Sequence, residues 1–177
     1  MPGDTINGIP RVDPHVRTAS QRAWAPIGRL FGGTKAGAAV WRKVGARLDP
    51  RVIKTTGGRL KLSPGAPILV LTSTGTRSGQ QRETALAYFT DGDDVILMAS
   101  NYGGARHPAW YHNLLARPNC ELHIGPSGGR FVARQTEGAD RDRLFRLAVD
   151  LLPGARSYAK RTDGVRTIPM LRLTPSA

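Results

Sequence analysis

Two short stretches hold the residue types that could do chemistry. Thr74 to Arg82 reads TGTRSGQQR. Gly75 and Gly79 let the backbone approach a ligand and turn its N–H groups outward. Arg77 and Arg82 bring guanidinium charge suited to phosphate, and Thr74, Thr76 and Ser78 bring hydroxyls. Such a loop can hold a phosphate without a helix N-terminus; the same composition also suits a plain surface turn. Ala99 to Asn113 reads ASNYGGARHPAWYHN. Gly103 and Gly104 would let a flat ring lie against bare backbone. Trp110 and Tyr111 serve either as packing beneath that ring or as stacking partners for it, and Asn113 can bond back to the loop.

Other chemistries find little to stand on. There is no GxGxxG after a strand, no GxxxxGK[ST], no HExxH and no GxSxG. Of His15, His107, His112 and His123, only His107 and His112 are near neighbours. Their spacing of five shares a helical face poorly, and no Cys or carboxylate stands beside them, so no metal site is expected. Cys120 is the single cysteine; it can form neither a disulfide framework nor a thiolate cage and reads as a small apolar residue. No pair of acids stands out for acid–base work, and serines alone do not make a hydrolase.

Charge points toward an anionic ligand. The 177 residues carry a formal net charge of +13. Between Arg51 and Arg82 there are six basic residues and no acid, whereas from Glu83 onward 12 bases face 10 acids. A field of that sign favours phosphates, anionic lipid or acidic ligands. The 21 Arg against 5 Lys reads as the composition of a GC-rich bacterial genome. No run approaches the roughly 20 apolar residues of a membrane span, and the first residues lack the basic-then-apolar order of a secretory signal.

The elements that must position these stretches follow from periodicity. Residues 1–13 read as a mobile polar arm. Residues 15–31 and 34–48 read as two basic amphipathic helices, which either cover one end of a barrel or lie on an anionic membrane surface. Strands are expected over 67–73, 82–90 and 94–100, with a hairpin turn at Asp91-Gly92-Asp93. A short helix follows over 107–116, with Pro108 in its first turn. Strands over 119–125 and 130–136 flank a turn at 126–129. A helix over 138–151, a looser segment over 153–164 and a last strand over 167–173 complete the chain. Five or six strands with helices kept outside argue for an α+β barrel rather than a doubly wound parallel sheet.

Taken together, the two chemical stretches resemble the deazaflavin-dependent nitroreductase and quinone reductase family. The matching features are TGTRSGQQR at Thr74–Arg82, ASNYGGARHPAWYHNL at Ala99–Leu114 and Pro118-Asn119. Leu48–Arg51, Gly57–Leu60, Tyr158, Arg161-Thr162 and Ile168-Pro169 fit as well, so the similarity spans about residues 45–175. The resemblance implies a split β-barrel of the FMN-binding type over residues 46–177, with an N-terminal arm and helices over 1–45. It implies reduced coenzyme F420 as hydride donor to a quinone or nitroaromatic acceptor, in the cytoplasm or at the inner face of the membrane. By motif, Thr76, Arg77, Ser78, Gln80 and Arg82 would hold the cofactor phosphate and nearby tail. Ser100, Asn101, Tyr102, Gly103 and Gly104 would line the deazaflavin ring, with Trp110 behind it. Tyr158 or Ser100 would supply a proton. Members often carry a basic residue where Asn101 stands and more than one tyrosine near Tyr158; this chain departs from both. Relatives of this barrel often pair, so a homodimer is a further expectation.

Two rival readings keep their own signatures. The same barrel could hold FMN or haem instead, which would colour the purified protein. A sequence pI of about 11.2 also suits nucleic acid, but the aromatics are not interleaved with the bases as in a stacking platform and no nucleic-acid motif occurs.

Overall fold

Short β-branched and aromatic runs, alternating in and out, build most of this molecule. The computed structural model describes residues 4–15, 66–152 and 154–176. The helices expected between 15 and 48, the division at residue 45 and the matching segments at Leu48–Arg51 and Gly57–Leu60 lie outside the described residues. In chain order the elements are β1 (Thr5–Ile6), β2 (Ile9–Pro10), β3 (Ile68–Thr74), β4 (Gln81–Asp91) and β5 (Asp94–Met98). A 3₁₀ turn at Asn101–Gly103 leads to α1 (Ala109–Ala116), β6 (Asn119–Ile124) and β7 (Ser127–Gln135). Then come α2 (Gly138–Leu151), α3 (Ala155–Thr162) and β8 (Met170–Pro175).

Strands β3 to β8 close a six-stranded barrel in the order β3-β4-β5-β8-β7-β6, with every neighbouring pair antiparallel. This is the α+β barrel expected from the sequence. Period-two alternation explains its core: Leu69, Leu71, Tyr88, Val95, Leu97, Leu122, Phe131, Leu171 and Leu173 belong to one buried cluster. The residues between them, Phe89, Ile96 and Met170, form a second cluster with Leu144, Ala148 and Leu151 of α2. Each such side chain contributes about 1.5–3 kcal/mol on leaving water.

An ion-pair network latches α2 to the barrel. The Arg172 guanidinium donates to Asp140 at 2.9 Å, Asp91 at 2.6 Å and Asp94 at 3.2 Å, and Arg143 donates to both oxygens of Asp91 at 2.9 and 2.6 Å. Arg172 has only 12% of its side chain exposed, so its charge depends on these partners. The Arg143 and Arg172 hydrogen bonds together hold the Asp91 carboxyl down to about 2, against partial burial that opposes them.

Four local differences from expectation have physical causes. Thr5 to Pro10 is a hairpin rather than a loose arm: Asn7 and Gly8 both take positive φ, 45° and 83°, as a type I′ turn requires, and Ile6 and Ile9 are buried. Strand β7 starts at Ser127, inside the expected turn; a Cβ on Gly128 would lie 2.1 Å from the Leu122 carbonyl oxygen, so glycine permits a close strand pairing there. The looser segment contains a regular helix, α3. Finally, β8 begins at Met170, after Pro169, which cannot donate to a ladder.

The Asp91 shift fixes a sign for acid stability. Its folded pKa, about 2, lies below the ordinary 3.8, so the unfolded chain binds more protons in that window and stability falls as pH drops from about 4 to 2. Arg172→Ala is expected to cost about 2 kcal/mol at neutral pH and to flatten this acid limb, as read by urea unfolding at a series of pH values.

Candidate functional site

Strand register decides which loops meet. Thr74 pairs with Gln81, Met98 with Met170 and Gln135 with Leu171. The end of β3, the start of β4, the end of β5, the start of β8 and the end of β7 therefore share one end of the barrel. Loops 75–80, 99–108 and 163–169 all leave from it, together with α1. The N-terminal hairpin sits at the other end: Asn7 Nδ2 donates to the Arg130 carbonyl at 2.9 Å, and Gly8 packs on Gly128 beside the β6–β7 turn.

Helix α1 ties the two chemical stretches to each other. Its Asn113, buried at 7% exposure, accepts the Thr76 amide at 3.2 Å and donates to Ser73 Oγ at 3.4 Å. Arg117, just past its end, donates to the Gly75 carbonyl at 3.2 Å. Tyr111 anchors the helix to β7 through a 2.6 Å bond to Gln135. Trp110 is buried in the barrel core.

The 75–80 loop closes on itself. Gly75 N–H donates to Gln80 O at 2.8 Å, and Gly79 N–H donates to Gly75 O at 2.9 Å. Gly79 needs its φ of +67°. With the backbone so engaged, Thr76, Arg77, Ser78, Gln80 and Arg82 are all left exposed, with no acid among them. That donor set is the chemistry an anionic phosphate or carboxylate tail requires.

The second stretch makes a left-handed turn. Asn101, Tyr102 and Gly103 take φ of 47°, 52° and 74° in succession, after a right-handed Ser100. Two non-glycine residues in this region cost about 2 kcal/mol or more together, so the surroundings must hold the turn. Gly103 N–H donates to Ser100 O and Gly104 N–H to Asn101 O, both at 2.9 Å. The Asn101 side chain folds back onto Arg106 O at 2.8 Å. Arg161 of α3 donates to Tyr102 O at 3.2 Å. Gly103 lies so near α3 that a Cβ there would be 2.7 Å from Arg161 Nε. The result is a rim of backbone, Ser100 to Gly104, half-buried at the same end of the barrel as the cationic loop.

Tyr158 forms the wall behind this turn. Its ring meets Tyr102 edge-on at 6.0 Å, Arg161 stands over it at 5.2 Å, and burial raises its phenol pKa against a small opposing effect of Arg161. Cys120 is buried and its thiol is pushed up to about 12, chiefly by burial, which agrees with a packing role. Among the described residues no cluster of three or more metal-ligating side chains occurs. A cleft of about 640 Å³ lined by Arg141, Phe145, Lys160, Gly164, Arg166 and Ile168 shares no residue with the two stretches.

Sequence reasoning did not find Arg166 or Arg117, since a lone arginine in a loop carries no periodic signal. Asn113, expected to bond back to its own Gly103–Gly104 loop, instead serves the 75–80 loop, because barrel closure brings the end of β3 against α1. Removing its amide tests the bridge: Asn113→Ala should speed hydrogen exchange at the Thr76 amide about tenfold or more, and lower Tm by a few degrees, for a loss of about 1–2 kcal/mol.

With the geometry given, comparison with known proteins becomes informative. Residues 42–175 match the model of a family described as F420H(2)-dependent quinone reductase. The chain is 37% identical over 133 residues to the F420H(2)-dependent quinone reductase Rv1261c of Mycobacterium tuberculosis H37Rv, covering 72% of this chain and 88% of that one. Among solved structures, an F420-H2 dependent reductase, FDR-A, superposes with a TM-score of 0.54 at 32% identity, over 60% of this chain and 93% of its own. A second, described as a domain-swapped dimer, gives 0.56 at 30% identity over 72% and 94%. A closed barrel with a cationic loop and a bare-backbone turn at one end, matched over three quarters of its length, places this chain in the F420H(2)-dependent quinone reductase family.

Proposed function

We propose that the protein transfers a hydride from reduced coenzyme F420 to a quinone at the loop-bearing end of the barrel. The observation that carries this reading is the shared barrel end: the exposed cationic loop and the left-handed turn both leave from it, and Asn113 of α1 fastens the second stretch to the first at Thr76 and Ser73. In this reading Thr76, Arg77, Ser78, Gln80 and Arg82 hold the phosphate and nearby tail of the cofactor. Ser100, Asn101, Tyr102, Gly103 and Gly104 line its ring, and Trp110 supports them from the core. When bound, the cofactor supplies the hydride chemistry.

The chain's own residues then have to bind, orient and deliver a proton. Orientation between two flat partners supplies much of the acceleration, which suits a site without an acid–base triad. Ser100 and Tyr158 are the proton sources; Ser100 is half-buried at the rim, whereas Tyr158 is 9% exposed. An activated nitro compound needs the same open face and stands as the second acceptor class. A homodimer belongs to the same proposal, supported by the domain-swapped dimer among similar structures. Cytoplasmic placement is part of it too: among the described residues no helix is long and apolar enough to cross a membrane. Contact of the expected N-terminal helices with an anionic membrane surface is supported only by their basic, amphipathic sequence.

Two measurements test this. Titration with F420 and with FMN, followed by fluorescence, should give saturable micromolar or tighter binding of F420 in preference to FMN, and reduction of menadione should follow. Binding of FMN alone would keep the barrel and remove the cofactor assignment. The double variant Arg77→Ala/Arg82→Ala should bind F420 at least tenfold more weakly, about 1.4 kcal/mol; a change within twofold would show that the loop does not hold the tail.

A further inference from the structure

Arg166 has no role in the reading above, yet its guanidinium spans both ends of the left-handed turn. Its Nε donates to Gly104 O at 2.9 Å and its Nη2 to Ser100 O at 2.7 Å. Its Nη1 reaches Ala99 O at 3.4 Å, Thr167 O at 3.5 Å and the His107 ring nitrogen Nδ1 at 3.1 Å. A planar fork can direct Nε, Nη2 and the two N–H groups of Nη1 at this set, the three acceptors around Nη1 sharing its two hydrogens; an ammonium cannot reach so many in one plane. The residues it grips are those that enter the turn, Ala99 and Ser100, and those that leave it, Gly104 and His107.

The contact with His107 carries chemical information of its own. An arginine is always protonated and only donates. His107 Nδ1 must therefore accept, which leaves the ring neutral with its proton on Nε2. Burial and the neighbouring Arg166 and His112 charges act in the same direction, since all disfavour a second proton on this ring. The ring is half-buried, packed 4.9 Å from Tyr111 and 6.0 Å from His112. Arg166 thus sets both the backbone shape of the rim and which nitrogen of the adjoining histidine can donate.

We propose that Arg166 is the positioning residue of the site: it holds the Ser100–Gly104 turn in its left-handed form and fixes His107 as the neutral Nε2–H tautomer. Its consequence for cofactor affinity rests on the assignment of that turn to the deazaflavin ring; its consequence for the turn and for His107 does not. The grip reaches across more than sixty residues of sequence, from the α3–β8 connection to the β5–α1 connection. It therefore couples the C-terminal segment to the rim on which a ring would lie.

The test uses the full chain with Arg166→Lys and Arg166→Met, the first keeping the charge without the fork. Nitrogen-15 NMR of the histidine rings at pH 7.5, assigned with His107→Gln, reads the tautomer directly. The wild type should show His107 as a single Nε2–H form, and both variants should show mixed tautomers, with F420 affinity lowered at least tenfold. Circular dichroism and Tm separate this from unfolding; if Arg166→Met does not fold, Arg166→Lys alone decides. A wild-type His107 carrying its proton on Nδ1, or a folded variant with the His107 signature unchanged, would overturn the proposal. A shifted His107 signature with no F420 binding by the wild type would uphold the positioning role and remove the cofactor assignment. A shifted signature with affinity kept within twofold would show that the turn does not serve the cofactor and would overturn the functional part.

Discussion

Everything at the loop-bearing end depends on closing the barrel between β3 and β6. That seam pairs only Val70, Leu71 and Thr72 with His123, Leu122 and Glu121, whereas β3 and β4 pair over seven residues. A one-residue slip of β3 there would turn Leu69 and Leu71 out of the barrel interior and put Val70 and Thr72 in their place. The buried leucines therefore fix the register, and closure removes the edges that a six-stranded open sheet would expose. Once the register is set, antiparallel order leaves no freedom: the 75–80 loop, the left-handed turn, α1 and the α3–β8 connection must emerge together. Helix α1 then fastens the 75–80 loop and the end of β3 through Asn113, one buried amide bonded to Thr76 and Ser73.

The rim itself is a structure that its local sequence would not choose. A tyrosine and an asparagine in the left-handed region are unfavourable by themselves, and bare backbone at a barrel mouth leaves carbonyls in need of donors. Both needs are met from far away, by Arg161 on Tyr102 and by Arg166 on Ala99, Ser100 and Gly104. Strain held by distant, well-directed donors is the usual mark of a site shaped for something other than stability. Gly103 completes the fit, since α3 leaves no room there for a Cβ.

Beyond Arg117, Arg161 and Arg166, which hold backbone carbonyls, the described residues show two further kinds of work for their cations. Arg143 and Arg172 are engaged by Asp91, Asp94 and Asp140 and hold α2 on the barrel. Arg77 stands exposed on the 75–80 loop and Arg82 at the start of β4, with no acid between them. Ion pairs of the first kind are stability; a charge excess of the second kind is a field that draws anions to one end of the molecule.

Much of this was legible along the chain. Periodicity located β3, β4, β5, α1, β6 and α2 within a few residues, because a half-buried strand or helix must repeat its apolar side chains every two or every 3.6 positions. The TGTRSGQQR and ASNYGGARHPAWYHN stretches hold residue types that suit an anion and a flat ring, though equally a surface turn and core packing, and it was their resemblance to a family that named the cofactor. The Asn7-Gly8 hairpin between two isoleucines was missed, because the polarity around it reads as a loose arm. What the residues could not declare was Arg166, or that Asn113 would serve the 75–80 loop. Those roles are contacts across 37 to 67 positions, and a lone polar residue carries no mark of a partner that only barrel closure brings near. Sequence determined which chemistry the chain can offer, because residue types and local spacing carry it. The tertiary structure decided where that chemistry meets and what holds it in shape, because register and closure depend on the whole core at once.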